Sequence, residues 1–166
     1  MNGGIVIKAI IMAGGKGTRL KPLTCCIPKP MVPILNKPTM EYTLELLKKH
    51  GITEIAVTVA HLPDKIIDHF GQGEKWGVNI KYFEEDIPLG TGGSVKNAED
   101  FIQGTFIVLS GDALTDINIS KAVEFHKKKG SKATLVLKNE DYPVEFGVVI
   151  TDDDGNITRF LEKPSW

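Results

Sequence analysis

A chain of 166 residues with 42% hydrophobic and 25% charged side chains has enough apolar content for one real core, which excludes intrinsic disorder. Its 20 basic and 21 acidic residues leave a formal net charge of -1, so no overall positive field argues for nucleic acid or an anionic membrane as partner, and a small molecule fits better. The two cysteines, Cys25 and Cys26, are adjacent, which makes neither a disulfide framework nor a thiolate metal site and reads as a pair of small buried side chains.

No signal-peptide pattern opens the chain, and no apolar run approaches the roughly 20 residues of a membrane helix, so the expected location is cytoplasmic. Residues 5 to 12 are nearly unbroken Ile, Val and Ala, the pattern of a strand buried on both faces of a parallel sheet. The run stops at Gly14-Gly15-Lys16-Gly17-Thr18-Arg19, where three glycines within four residues let backbone N–H groups approach an anion. Lys16, Arg19 and Lys29 can offset several negative charges, and the ligand expected there is a polyphosphate. The Walker A pattern fits no window. The dinucleotide fingerprint needs a helix directly after its glycines, and Pro22, Pro28, Pro30 and Pro33 stand in its place. Taken alone, the glycines also suit an ordinary turn.

Met40, Leu44 and Leu47 then recur at helical spacing, with Pro38 near the start and Gly51 as the stop. Glu54 to Ala60 reads as a strand, Pro63 to Phe70 as a short helix, and Val78 to Phe83 as a third strand. A glycine-rich turn from Pro88 to Gly93 leads into a helix carrying Val95, Ala98 and Phe101. Thr105 to Leu109 is a fourth strand, ending at Ser110-Gly111-Asp112. Ser120 to Lys129 is a helix whose terminal lysines compensate its dipole. From Ala133 the texture changes to Thr134-Leu135-Val136-Leu137, then Phe146 to Thr151 and Ile157 to Leu161. Asp152-Asp153-Asp154-Gly155-Asn156 joins the last two as the turn of a hairpin rather than as a metal site.

This alternation predicts an α/β fold, Rossmann-like and doubly wound, with a mostly parallel sheet and a C-terminal β-hairpin. In such sheets ligands bind beyond the carboxyl ends of the strands, where strand order reverses. The glycine loop and Asp112 are therefore expected to face each other across one crevice, and Asp112 is the place for a magnesium ligand.

Gly14 to Thr24, Pro28-Lys29-Pro30-Met31-Val32-Pro33, Pro88 to Ser94, Leu109 to Asp112, Phe146-Gly147-Val148-Val149 and Leu161-Glu162-Lys163-Pro164, in this order, resemble the sugar-phosphate nucleotidylyltransferases. The resemblance runs the length of the chain. It implies transfer of a nucleotidyl group from an NTP to a sugar 1-phosphate, giving a nucleotide-sugar and pyrophosphate, with Mg2+ as cofactor. It also implies roles. Arg19 holds the NTP phosphates, Lys29 lies beside the reacting phosphates, and Asp112 binds the metal. Ala13, Gly14, Gly15, Gly17, Thr18, Glu85, Gly90, Thr91 and Gly111 contact the nucleotide, and Gly147, Glu162 and Lys163 contact the sugar phosphate.

The chemistry suits the residues. The nucleophile is a phosphate oxygen, mostly dianionic near neutrality because its second pKa is about 6, so no general base is required. His50, His61, His69 and His126 are scattered and read as surface or packing residues. Glu84-Glu85-Asp86 stands where uridylyl- and thymidylyltransferase-like members tend to have glutamine. A carboxylate accepts both adjacent donors of guanine, which favours GTP, although a solvated acidic loop has the same composition. The segment from Tyr82 to Phe101 also resembles the mannose-1-phosphate guanylyltransferases, which implies mannose 1-phosphate as the acceptor. Glucose-1-phosphate thymidylyl-, uridylyl- or adenylyltransferases are the alternative, and a non-catalytic sensor of the same fold is another. The family pattern continues past the Glu-Lys-Pro motif with more sugar-binding residues and a second metal aspartate. Residues 1–166 therefore read as a catalytic domain incomplete at its C-terminus, with weak nucleotide binding and little turnover expected of it alone. A homo-oligomer is compatible with the sequence.

Overall fold

The computed structural model describes residues 6–162. By its internal contacts the chain falls into two compact units, Met1–Ile119 and Ser120–Trp166. The first is built on four parallel strands, β1 (Lys8–Met12), β2 (Glu54–Val59), β3 (Asn79–Glu84) and β4 (Phe106–Ser110), in the order β3-β2-β1-β4. Ile10 of β1 pairs with Ala56 on one side and Val108 on the other. The chain thus steps outward from β1 to β3, then returns to the opposite side of β1 for β4. Strand order reverses at β1 and β4, as the doubly wound reading requires.

Burial follows from position in the sheet. Ala9, Ile10 and Ile11 and every residue from Ile55 to Val59 are buried, because β1 and β2 are flanked by strands on both sides and covered on both faces. Each fully buried Ile or Val among them contributes about 1.5–3 kcal/mol. Helix α1 (Thr39–Lys49) buries Met40, Leu44 and Leu47, its i, i+4, i+7 stripe, and ends with Lys48 and Lys49 in its last turn, where positive charge meets the helix dipole. Helix α2 (Pro63–Phe70) buries Ile66 and Phe70. Helix α3 (Gly90–Asn97) runs into a short turn at Glu99–Phe101, and Ala98 and Phe101 pack on Ile10 and Ala56. His69 fits its reading as a packing residue, edge-on to Phe70 with ring centroids 4.7 Å apart.

Three local expectations are corrected. The glycines of Pro88 to Gly93 are not a turn ahead of the helix, since α3 starts at Gly90 and includes Gly92 and Gly93. A Cβ at Gly93 would lie 2.7 Å from the Leu89 side chain, so close packing of the helix entry overrides poor helix propensity. Cys25 and Cys26 are exposed, not buried, because the turn Leu23–Cys25 directs Thr24 inward instead. Thr134 to Leu137 forms no strand among the described residues. A strand needs a neighbour for its N–H and C=O groups, and Leu135, Val136 and Leu137 remain about half exposed.

In the second unit, helix α4 (Ile119–Lys129), which starts at the last residue of the first, precedes an antiparallel hairpin of β5 (Gly147–Thr151) and β6 (Ile157–Glu162). The aspartate cluster is its turn. Asp152 accepts hydrogen bonds from the Asn156 backbone N–H at 2.7 Å and from its Nδ2 at 2.9 Å, and these bonds hold the Asp152 carboxyl below its ordinary pKa. Among the described residues, no helix is long and apolar enough to cross a membrane.

Candidate functional site

Three backbone hydrogen bonds carry the sheet ladder one residue past the strand ends and fix where the loops begin. Ala13 N–H bonds to Thr58 O at 2.8 Å, Gly111 N–H to Met12 O at 2.9 Å, and Glu85 N–H to Val59 O at 2.9 Å. The glycine loop, Gly111-Asp112 and Glu85 therefore leave the sheet side by side at its carboxyl edge. Gly111 permits the closest approach, because a Cβ there would stand 3.0 Å from Ile11 Cγ2 and 3.3 Å from Met12 O. Any side chain at Gly111 would push Asp112 away from β1.

The proline-rich segment forms short turns at Thr18–Leu20, Leu23–Cys25 and Lys29–Met31 instead of a long helix. Pro28 and Pro30 flank Lys29 and are buried, so proline's restricted φ holds the lysine's backbone while its side chain stays half-buried. Lys29 Nζ forms an ion pair with Asp112 Oδ2, and Ser110 Oγ donates to Asp112 Oδ1. Burial alone pushes the Asp112 carboxyl up. The bonds from Lys29 and Ser110, with the lysine's charge, outweigh burial and leave it below the ordinary 3.8.

A depressed carboxyl pKa means that stabilisation from this pair is present above the unfolded value and is lost as pH falls through the folded one. An NMR titration of the Asp112 carboxyl carbon should give a midpoint below 3.8. In Lys29→Met the midpoint should rise, because burial is then opposed mainly by Ser110; an unchanged midpoint would show that Lys29 is not the partner in solution.

Opposite Asp112, Glu85 is 9% exposed. Its Oε2 accepts the Leu89 N–H at 3.3 Å, and its Oε1 is buried without a partner among the described residues. A buried carboxylate oxygen with no donor is costly, and such atoms are normally satisfied by water, an ion or a ligand. The first turn of α3, with Gly90 and Thr91, borders the same space, and the first N–H groups of a helix have no partner within it.

These elements enclose a cleft of about 250 Å³. Of the residues singled out from the sequence, Ala13, Gly14, Gly15, Lys29, Glu85, Gly90, Thr91 and Asp112 line it. Gly17, Thr18, Arg19 and Gly111 do not. Arg19 is exposed on the turn Thr18–Leu20 and has no bonded partner among the described residues. Gly147 and Glu162 are direct cross-strand partners in the hairpin, close enough that a Cβ on Gly147 would lie 3.1 Å from Glu162 Oε2. Lys163 lies outside the described residues.

Pro88, Ser94 and Ser110 also line the cleft and were not foreseen. The signal for Ser110 was present, a hydroxyl two residues before an acidic side chain at a strand end. Ser94 carried none, because its hydroxyl bonds back to the Gly90 carbonyl at 2.9 Å, which depends on the helix starting where it does.

The surroundings of Asp112 bear on whether it suits a divalent metal. Among the described residues, no three His, Cys, Asp or Glu side chains cluster into a cage. A single carboxylate in an open cleft fits Mg2+, which keeps several waters and binds through one or two carboxylates plus substrate phosphates.

Known proteins resemble this chain over nearly its whole length. A UTP–glucose-1-phosphate uridylyltransferase of Synechocystis is 45% identical over 96% of this chain and 45% of its own length. A mannose-1-phosphate guanyltransferase of Saccharomyces cerevisiae is 38% identical over 95% of this chain and again 45% of its own length. The chain therefore spans less than half of these curated relatives. Among solved structures, a Bacillus anthracis protein assigned as a glucose-1-phosphate thymidylyltransferase superposes with a TM-score of 0.86 at 30% identity, over 95% of this chain and 65% of that one. HddC of Yersinia pseudotuberculosis complexed with GMP-PN superposes with a TM-score of 0.76 at 30% identity, over 96% of this chain and 70% of that one. A model of the nucleotidyl transferase family matches residues 8–166, essentially the whole sequence, and the chain belongs to that family.

Proposed function

We propose that this chain carries the nucleotide-binding and metal-binding part of a sugar-1-phosphate nucleotidylyltransferase, and that the protein transfers a nucleotidyl group from GTP to mannose 1-phosphate with release of pyrophosphate. The observation that carries the reading is the Lys29 and Asp112 pair in a cleft lined by the glycine loop at the sheet's switch point. The acceptor phosphate is its own nucleophile, so the protein has to align two anions and offset the charge that develops on the α-phosphate and the leaving pyrophosphate.

Each side chain then has a task. Mg2+, bound through Asp112 and the triphosphate, would neutralise phosphate charge. Lys29 exchanges Asp112 for the α-phosphate when nucleotide enters. Arg19, exposed and unpaired among the described residues, meets the outer phosphates. Backbone N–H groups of Gly14 and Gly15 approach the phosphates from the loop, and Gly90 and Thr91 meet the nucleotide from the start of α3. Gly147, Glu162 and Lys163 hold the sugar phosphate.

GTP is favoured by the unpartnered oxygen of Glu85, because guanine offers two adjacent N–H donors. The Yersinia protein's complex with GMP-PN and the S. cerevisiae guanyltransferase are consistent with that choice. UTP with glucose 1-phosphate is the second reading, supported by the higher identity to the Synechocystis uridylyltransferase.

The test is a single-turnover assay with the chain in excess over α-phosphate-labelled GTP or UTP, Mg2+, and mannose or glucose 1-phosphate. Labelled GDP-mannose in highest yield is expected. UDP-glucose in highest yield establishes the second reading, and no nucleotide-sugar from any pairing, together with no binding of Mg·GTP or Mg·UTP by calorimetry, overturns both.

A further inference from the structure

Thr24 takes no part in the reaction outlined above, yet its side chain is buried in an otherwise largely exposed stretch of the loop. It is 1% exposed between Leu23, Cys25 and Cys26, all of which face solvent. Withdrawing a hydroxyl from water is costly unless a partner compensates. Here Thr24 Oγ1 donates to the Gly17 carbonyl at 2.8 Å. The same carbonyl accepts the Leu20 N–H at 2.9 Å, which closes the turn carrying Arg19.

The Thr24 methyl completes the contact. Gly17 sits at φ 60 with its open side against two neighbours, since a Cβ there would lie 2.9 Å from Thr24 Cγ2 and 3.1 Å from Lys29 Cβ. Gly17 is thus the point where the root of the Arg19 turn, the Thr24 side chain and the stem of Lys29 meet. Glycine at positive φ is a natural hinge, and a hinge left free would let Arg19 drift relative to Lys29.

We propose that Thr24 is a positioning residue that locks the Gly17 hinge and fixes the spacing of Arg19 from Lys29, so that the two cations meet a triphosphate as a preformed pair. The proposal rests on the reading of Arg19 and Lys29 as phosphate-binding groups. Its advantage is entropic, because a loop ordered before binding does not have to be ordered by the ligand.

The test uses Thr24→Val, which keeps the methyl and removes the hydroxyl, and Thr24→Ser, which restores the hydroxyl. Two readouts are taken on the full chain. In the absence of ligand, tryptic cleavage after Arg19, measured relative to cleavage elsewhere in the chain, should rise about tenfold in Thr24→Val and stay near wild type in Thr24→Ser. Affinity for inorganic tripolyphosphate with Mg2+, measured by calorimetry, should fall about fivefold to tenfold in Thr24→Val and recover in Thr24→Ser. In an Arg19→Gln background, Thr24→Val should cost less than about twofold, because it acts through Arg19.

Unchanged cleavage in Thr24→Val overturns the lock. Raised cleavage with unchanged affinity, or an equal loss in the Arg19→Gln background, overturns the positioning role. Should Arg19→Gln alone leave tripolyphosphate affinity unchanged, the phosphate reading of Arg19 fails and the positioning role with it, while the cleavage assay still reports separately on the lock.

Discussion

Replacing Lys29 by methionine should slow nucleotidyl transfer by about a hundredfold to a thousandfold, the range lost when a charge-stabilising group is removed from a transition state. Nucleotide affinity should fall less, by about tenfold, because Lys29 in the free protein is already bound to Asp112 and gives up that pair to reach a phosphate. The measurement is single-turnover transfer of label from the α-phosphate, with affinity determined separately by calorimetry. Asp112→Asn should raise the Mg2+ concentration needed for half-maximal binding of nucleotide by at least about tenfold, since the carboxylate that lines this side of the cleft among the described residues has lost its charge.

The double variant distinguishes a working pair from a structural one. Lys29 and Asp112 side chains are 36% and 25% exposed, and ion pairs with that much solvent contact contribute about 0–1 kcal/mol to stability. Were the pair only structural, removing both charges would return a protein close to wild type in every assay. The mechanistic reading expects Lys29→Met/Asp112→Asn to melt near the wild-type temperature but to transfer no faster than the worse single variant. Near-normal transfer by the double variant would remove both residues from the mechanism.

Which parts of this arrangement could be read from the sequence follows from how local the signals are. Unbroken apolar runs marked β1 and β2, because strands buried on both faces have no polar side to alternate with. The same logic located the switch point, and with it the convergence of the glycine loop and Asp112. Less visible was anything decided by packing between distant segments. The inward turn of Thr24 depends on a carbonyl seven residues away, and the outward turn of Cys25 and Cys26 follows from it. The start of α3 at Gly90 contradicts glycine's propensity and depends on how closely the backbone approaches Leu89. Arg19 was grouped with the cleft on the strength of its motif, and the structure instead places it on an exposed turn outside the lining. Sequence adjacency to Gly14 and Gly15 does not specify which way a side chain points once the chain has turned at Gly17. That gap between motif and placement is what gives the hinge at Gly17, and the residue holding it, their interest.

Glu85→Gln is expected to reverse the preference of the site for its base. The Leu89 N–H bonds to one carboxylate oxygen of Glu85 and demands an acceptor there. In the glutamine variant the amide oxygen must therefore turn to Leu89, which directs the NH2 group to the place of the unpartnered Oε1. Guanine would then meet a donor with its own N–H donors, losing a hydrogen bond to a charged group and leaving donors opposed, at a cost of about tenfold to a hundredfold in affinity. Uracil carries a carbonyl beside its single N–H and can accept from the amide, so UTP should bind equally well or better. Calorimetry with Mg·GTP, Mg·ITP and Mg·UTP on wild type and Glu85→Gln separates the contributions. Inosine lacks the guanine amino group, so ITP should bind wild type about tenfold more weakly than GTP but show little difference from it in the variant. A wild-type preference for UTP, or a GTP-to-UTP ratio that the substitution leaves unchanged, would remove Glu85 as the base reader and return the choice of nucleotide to the pyrimidine alternative.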